Sequence, residues 1–149
     1  MMALVKPIEI VNDEARAELR VDAPVSKAFD YVSDLRNMVT WWPEHTVYRR
    51  LRGDGAAGTL YFWKYVVRGF PLVGYSRVLV REPTERFEYR VGPPRVGARF
   101  VYRFTRDGDS TRIDLSCVTP LARLPAFAAQ VVPEVTRALE RLAGQFAER

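Results

Sequence analysis

Residues 21–43 read Val-Asp-Ala-Pro-Val-Ser-Lys-Ala-Phe-Asp-Tyr-Val-Ser-Asp-Leu-Arg-Asn-Met-Val-Thr-Trp-Trp-Pro. This stretch passes from one strand into two helices. Asp22 is placed to cap, and Pro24 suits a first helical turn, where its missing N–H is no loss. Val25, Ala28, Phe29 and Val32 recur at helical spacing, which predicts an amphipathic helix to about Ser33. A second short helix is expected over 35–41. It ends before Pro43, because the residue preceding a proline avoids helical backbone.

Upstream, Ala15, Ala17, Leu19 and Val21 alternate with Arg16, Glu18 and Arg20, the pattern of a half-buried strand. Downstream of His45, strand signals follow one another over 46–52, 59–68, 72–82, 85–91, 98–106 and 111–119. Turn residues part them: the glycine-rich 53–58, Gly69-Phe70-Pro71, Pro83-Thr84, Gly92-Pro93-Pro94 and Asp107-Gly108-Asp109. Short strands separated in this way form an antiparallel meander. A long helix closes the chain, from about 124 or 128 to 147. Val132, Val135, Leu139, Leu142 and Phe146 form its apolar stripe, and Pro133 is expected to fix its first turn.

The fold class expected is therefore α+β. A curved antiparallel sheet of six to seven strands wraps round a long C-terminal helix, with two short helices after the first strand. The 149 residues, 48% of them hydrophobic, suit one domain over 1–149 with its core at about 15–147. No repeat, linker or low-complexity tract divides it.

This order resembles the START-like, or SRPBCC, superfamily of the polyketide cyclase/dehydrase and lipid-transport type. Its carriers are Val21 to Val25, Ala28 to Asp34, and Met-Val-Thr-Trp-Trp-Pro over 38–43. Val-Arg-Glu-Pro-Thr-Glu-Arg-Phe over 80–87 resembles the turn where that family places Glu-x-Pro. The resemblance covers about residues 15–147. It implies the helix-grip fold and an internal cavity between sheet and C-terminal helix. It says less about function, because members range over lipid carriers, receptors, cyclases, hydratases and co-chaperone domains.

Strand parity identifies a wall without reference to any family. Tyr61, Trp63, Tyr65 and Val67 oppose Lys64 and Arg68. Phe87, Tyr89 and Val91 oppose Glu88 and Arg90. Phe100, Tyr102 and Phe104 oppose Arg99 and Arg103. Ile113, Leu115 and Cys117 oppose Arg112 and Asp114. Over 72–82, Ser76, Val78 and Val80 are expected inward and Tyr75 outward, because Arg77 and Arg81 belong outside. Eight aromatics thus face inward, four of them tyrosines. A buried hydroxyl without a partner costs about 1–3 kcal/mol, so four tyrosines point to a partly wet pocket with an apolar body. The alternative is a packed core whose hydroxyls reach backbone or surface.

The ligand-binding residues expected are these wall residues with Val135 and Leu139 from the last helix and the tryptophan pair. Trp41 and Trp42 diverge by about 100° on a helix, so one packs inside while the other gates the mouth, or both pack. Arg49 shares a face with Val47 and Leu51. If that face is inward, its guanidinium needs an anion, such as a ligand carboxylate. The alternatives are a parity slip that turns Tyr48 inward, or an internal partner such as Asp30 or Glu44.

The expected ligand is a small hydrophobic molecule: a lipid, isoprenoid or polyketide-like ring. The alternative is a cyclase/dehydrase-type enzyme in the same cavity, with Arg49 and His45 as the candidate catalytic groups. His45 is the only histidine and Cys117 the only cysteine, so neither a hydrolytic triad nor a His-rich metal site can be assembled, and no metal is expected. No phosphate-binding glycine loop is present, and no cofactor is expected. His45 lies at a helix-to-strand junction, where exposure is the commoner state.

Net charge is +5, with arginine far outnumbering lysine. Arg77, Arg81, Arg90, Arg99 and Arg103 are expected on the outer sheet face, where they would suit an anionic membrane or an acidic protein. Aromatics are nearly absent from those outer sets, Tyr75 apart, so nucleic acid is not the expected partner. The lone cysteine and the absence of a signal-like N-terminus suit a cytoplasmic protein, monomeric or homodimeric.

Overall fold

The computed structural model describes residues 5–93 and 97–147. Eight strands form one antiparallel sheet: β1 (Glu9–Val11), β2 (Glu14–Val21), β3 (His45–Arg52), β4 (Leu60–Val67), β5 (Phe70–Glu82), β6 (Arg86–Val91), β7 (Ala98–Asp107) and β8 (Ser110–Val118). Their order is β1-β2-β8-β7-β6-β5-β4-β3. The count exceeds the expected six to seven because β1 folds back on β2 through a tight turn at Asn12 (φ 57°). Three residues are too few to show a period-2 pattern.

Helix α1 (Val25–Ser33), a 3-10 turn (Leu35–Asn37) and α2 (Met38–Trp41) follow β2, and α3 (Pro125–Ala147) ends the chain. Asp22 does not cap α1. Pro24 occupies the N-cap, with no side-chain hydrogen bond. Asp34 caps the 3-10 turn instead, accepting from the Arg36 N–H at 3.1 Å. That bond and the guanidinium beside it hold the Asp34 carboxyl below the usual carboxylate range. Pro133 does not start α3 but lies inside it. A proline there leaves the carbonyl four residues earlier without its helical donor.

The ladders slip at three places, between Arg50 and Arg52 of β3 and at two others that redirect the side chains of the expected wall. The β5–β6 ladder slips between Val78 and Val80, so Arg81 pairs with inward-facing Phe87 and Val80 with Glu88. Ser76 and Val78 face the interior as expected, but Val80 and Arg81 exchange faces. Arg81 then lies over the Phe29 ring at 5.1 Å and 3.8 Å from Asp30. The β3–β4 ladder slips between His45 and Val47. One extra residue inverts every parity beyond it.

The β4–β5 hairpin outruns the sheet. β5 pairs with β4 over Phe70–Arg77 but with β6 only from Ser76, opposite Val91. Its turn has positive φ at both Arg68 (51°) and Gly69 (81°), the two-residue geometry that matches strand twist.

Candidate functional site

A cleft of about 1170 Å³ opens between the concave sheet face and the N-terminal half of α3. Trp42, His45, Tyr48, Trp63 and Tyr65 form one wall. Tyr89, Phe100, Leu115 and Cys117 form the floor. Phe127, Val131, Val132, Glu134 and Val135 close it from α3. Trp63 lies flat against Gly74 of β5, and a methyl at that glycine would overlap the indole ring. Glycine is thus the residue that lets the ring lie against the strand.

Of the residues expected to bind ligand, Trp42, Trp63, Tyr65, Tyr89, Phe100, Leu115 and Val135 lie on this cleft. Trp41, Tyr61, Ser76, Val78, Phe87, Tyr102, Phe104 and Leu139 do not. They are buried in the packed core. The reason is α1: Phe29 meets Phe104 edge-on at 5.0 Å, and Ala138, Leu139, Leu142 and Phe146 of α3 cover the same end of the sheet. The Tyr48 hydroxyl and Ser76 Oγ satisfy each other at 2.5 Å.

Arg49 does not reach the cleft. After the β3 slip it pairs with Phe62 on the convex face, its guanidinium 5.9 Å from that ring. Tyr48 takes the inward position, because a buried aromatic ring gains more than Val47 or Leu51 would, and no guanidinium need be desolvated. Phe62 also meets Tyr75 at 6.1 Å, so the convex face carries more aromatic surface than its sequence pattern suggests. Arg77, Arg90 and Arg99 align there directly across β5, β6 and β7. Glu88 is buried among them, paired with Arg86 and Arg99.

His45 is not an exposed junction residue. It packs against Trp42 (5.3 Å), Tyr48 (5.3 Å), Trp63 (6.3 Å) and Tyr65 (4.7 Å). Its backbone N–H donates to the Trp42 carbonyl at 2.9 Å, and its Nδ1 is buried without a partner. Burial among rings disfavours the imidazolium and lowers its pKa to about 4. Burial likewise pushes the Cys117 thiol up to about 12. Both groups are neutral at pH 7.

Sequence reasoning missed Glu134, and it gave an inward Tyr48 only as the alternative to an inward Arg49. The Glu134 carboxylate accepts from Trp42 Nε1 at 3.3 Å, which ties α3 to the end of α2 across the cleft mouth. Desolvation raises its pKa, and nearby Glu44 adds to the shift, against the lowering effects of Trp42 and Arg137. The signal was present. Residues 131, 134, 135, 138, 139 and 142 share one helical face, and Glu134 is the carboxylate on it.

Exposed apolar residues border the cleft at Val73 and Leu121. Leu72, Leu124 and, at the hairpin tip, Phe70 (74% accessible) are also exposed.

A sequence-family model for polyketide cyclase / dehydrase and lipid transport matches residues 13–147. The chain belongs to this family. Its START-like, helix-grip architecture is shared with solved structures of low sequence identity. A protein from Arthrobacter aurescens superposes with a TM-score of 0.77 at 14% identity, over 97% of this chain and 93% of that one. Protein Ms6760 from Mycobacterium smegmatis gives 0.73 at 16%, over 97% and 98%. A START superfamily protein from Mycobacterium smegmatis gives 0.71 at 16%, over 91% and 97%. At such identities the likeness is one of fold. No curated protein matches the chain by sequence. No helix of the described residues is long and apolar enough to cross a membrane, and none of their acidic, His and Cys side chains cluster as a metal site would require.

Proposed function

We propose that this family member binds a small apolar molecule in the cleft and acts as its carrier or sensor. The observation that carries this reading is the position of the cleft. Aromatic and aliphatic side chains line it at the end of the sheet that α1 leaves uncovered. Apolar ligands commonly occupy such a concave site with few polar groups. Exposed Val73 and Leu121 at its border supply an apolar approach to it. The decisive experiment is native mass spectrometry on protein purified from its own host without detergent, followed by solvent extraction. A stoichiometric apolar compound is the expected result. An empty protein that also shows no thermal shift with a hydrophobic panel would reject the reading.

A second reading, cyclase or dehydratase chemistry in the same cleft, draws support from His45 and Glu134, which both contact Trp42. A neutral imidazole can accept a proton, and a carboxyl group can give or take one. Turnover separates the two: in an enzyme, His45→Gln or Glu134→Gln lowers rate far more than affinity.

A further inference from the structure

Tyrosines apart, three ionisable side chains face the cleft from its own walls among the described residues: His45, Cys117 and Glu134. Arg16, Arg77 and Arg90 also border it. Each lies between two inward-facing neighbours, however, so its side chain leaves from the convex face. His45 and Cys117 are neutral at pH 7. Glu134 is thus the cleft's one inward charge-bearing group among those residues.

Its placement is structural as well as chemical. α3 carries it between Val131 and Val135, on the face turned to the sheet, and the Trp42 indole holds Oε1. An ionised carboxylate only accepts hydrogen bonds. In an apolar surrounding it favours a donor and repels a second anion, and Glu44 nearby adds to that repulsion. Arg137, the neighbouring cation one turn along α3, is exposed.

We propose that the ligand is an apolar molecule ending in a hydroxyl or amino group that donates to Glu134, and that Glu134 excludes ligands ending in a carboxylate. This inference rests on the cleft being the binding site.

The test uses 1-decanol, decylamine and decanoate, three probes of one chain length, displacing the neutral dye Nile red at pH 7 and moderate salt. In the wild type, decylamine and decanol should bind at least roughly tenfold more tightly than decanoate, the scale of one charge-assisted hydrogen bond. Glu134→Gln keeps the shape and an acceptor oxygen but removes the charge. It should improve decanoate and weaken decylamine, each by roughly tenfold, and leave decanol within about threefold. Glu44→Gln should shift the preferences far less. If Glu134→Gln does not fold, Glu134→Asp withdraws the charge by one methylene and should narrow the amine preference.

Equal binding of all three probes, unchanged by either Glu134 variant, would overturn the inference and leave the cleft reading intact. Tighter decanoate binding in the wild type would overturn it as well. Absence of Nile red binding and of any probe binding would overturn the cleft reading itself, and the inference with it.

Discussion

The two ends of the sheet are built from the same strands and filled in opposite ways. At the closed end, α1 packs onto β7 and β8, and the last turn of α3 packs on α1, where Phe146 meets Tyr31 edge-on at 5.4 Å. Phe29, Phe87, Tyr102, Leu139 and Leu142 there are almost wholly inaccessible. At the open end, α1 is absent, α3 stands off, and Phe127, Val131, Val132 and Val135 are only half-buried. Pro133 lies near the change from one regime to the other. The contrast shows how one fold divides stability from function. Side chains that interlock at native density hold the chain together, and side chains of the same apolar kind without a covering layer leave room for a ligand.

Substitutions at the two ends should therefore fail differently. The largest expected effect is at the closed end. Leu142→Ala should cost about 2–5 kcal/mol in urea unfolding, because the site is fully enclosed and cannot collapse onto the cavity it leaves. A cost below about 1 kcal/mol would mean that the closed end is loosely packed.

Next is His45, between the aromatic wall and the mouth. Its folded pKa of about 4 lies below the ordinary imidazole value of 6.5, so the unfolded chain binds the proton more readily. Its contribution to stability is full above about 6.5 and is lost as pH falls towards 4. The imidazole is only partly shielded, so the loss should be on the order of 2 kcal/mol. Denaturation across that window should show a slope that His45→Gln flattens. An unchanged slope would place the imidazole in water.

At the open end, Trp63→Ala should lower affinity for a bound apolar probe about tenfold or more, with a smaller change in stability than Leu142→Ala, because the ring faces the cleft. Isothermal titration and melting on the same preparation separate the two. Tyr102→Ala should show the opposite pattern, since Tyr102 belongs to the packed end. The smallest effect belongs to Phe70→Ser at the hairpin tip. Stability should stay within about 0.5 kcal/mol, because 74% of that side chain is already in water. A clear loss would mean that another surface covers the tip.

The wall was legible in the sequence wherever strands run without interruption. In β4, β6, β8 and β7 as far as Thr105, the charged residues keep to one parity, and Trp63, Tyr89, Phe100 and Leu115 face the concave side as that parity implies. It failed where a ladder slips. The shift at Val78–Val80 moved Arg81 inward over Phe29, and the one at His45–Val47 turned Tyr48 in and Arg49 out. A bulge adds one residue without a compositional mark, and parity counting has no means to register it.

By itself, the sequence determined the order of elements from β2 onward, the inward faces of four strands, the stripe of α3 and the family. All of these rest on local periodicity or on short motifs read along the chain. Tertiary structure alone decided which half of the inward wall is core and which is cleft. That division depends on where α1 lands, and Phe29 and Phe104, which settle it, are 75 residues apart. It also decided that His45 enters the aromatic wall and that Glu134 comes within reach of Trp42. A side chain's charge state follows from what surrounds it, and here the surroundings are assembled from α2, β3, β4 and α3, which meet only in the folded protein.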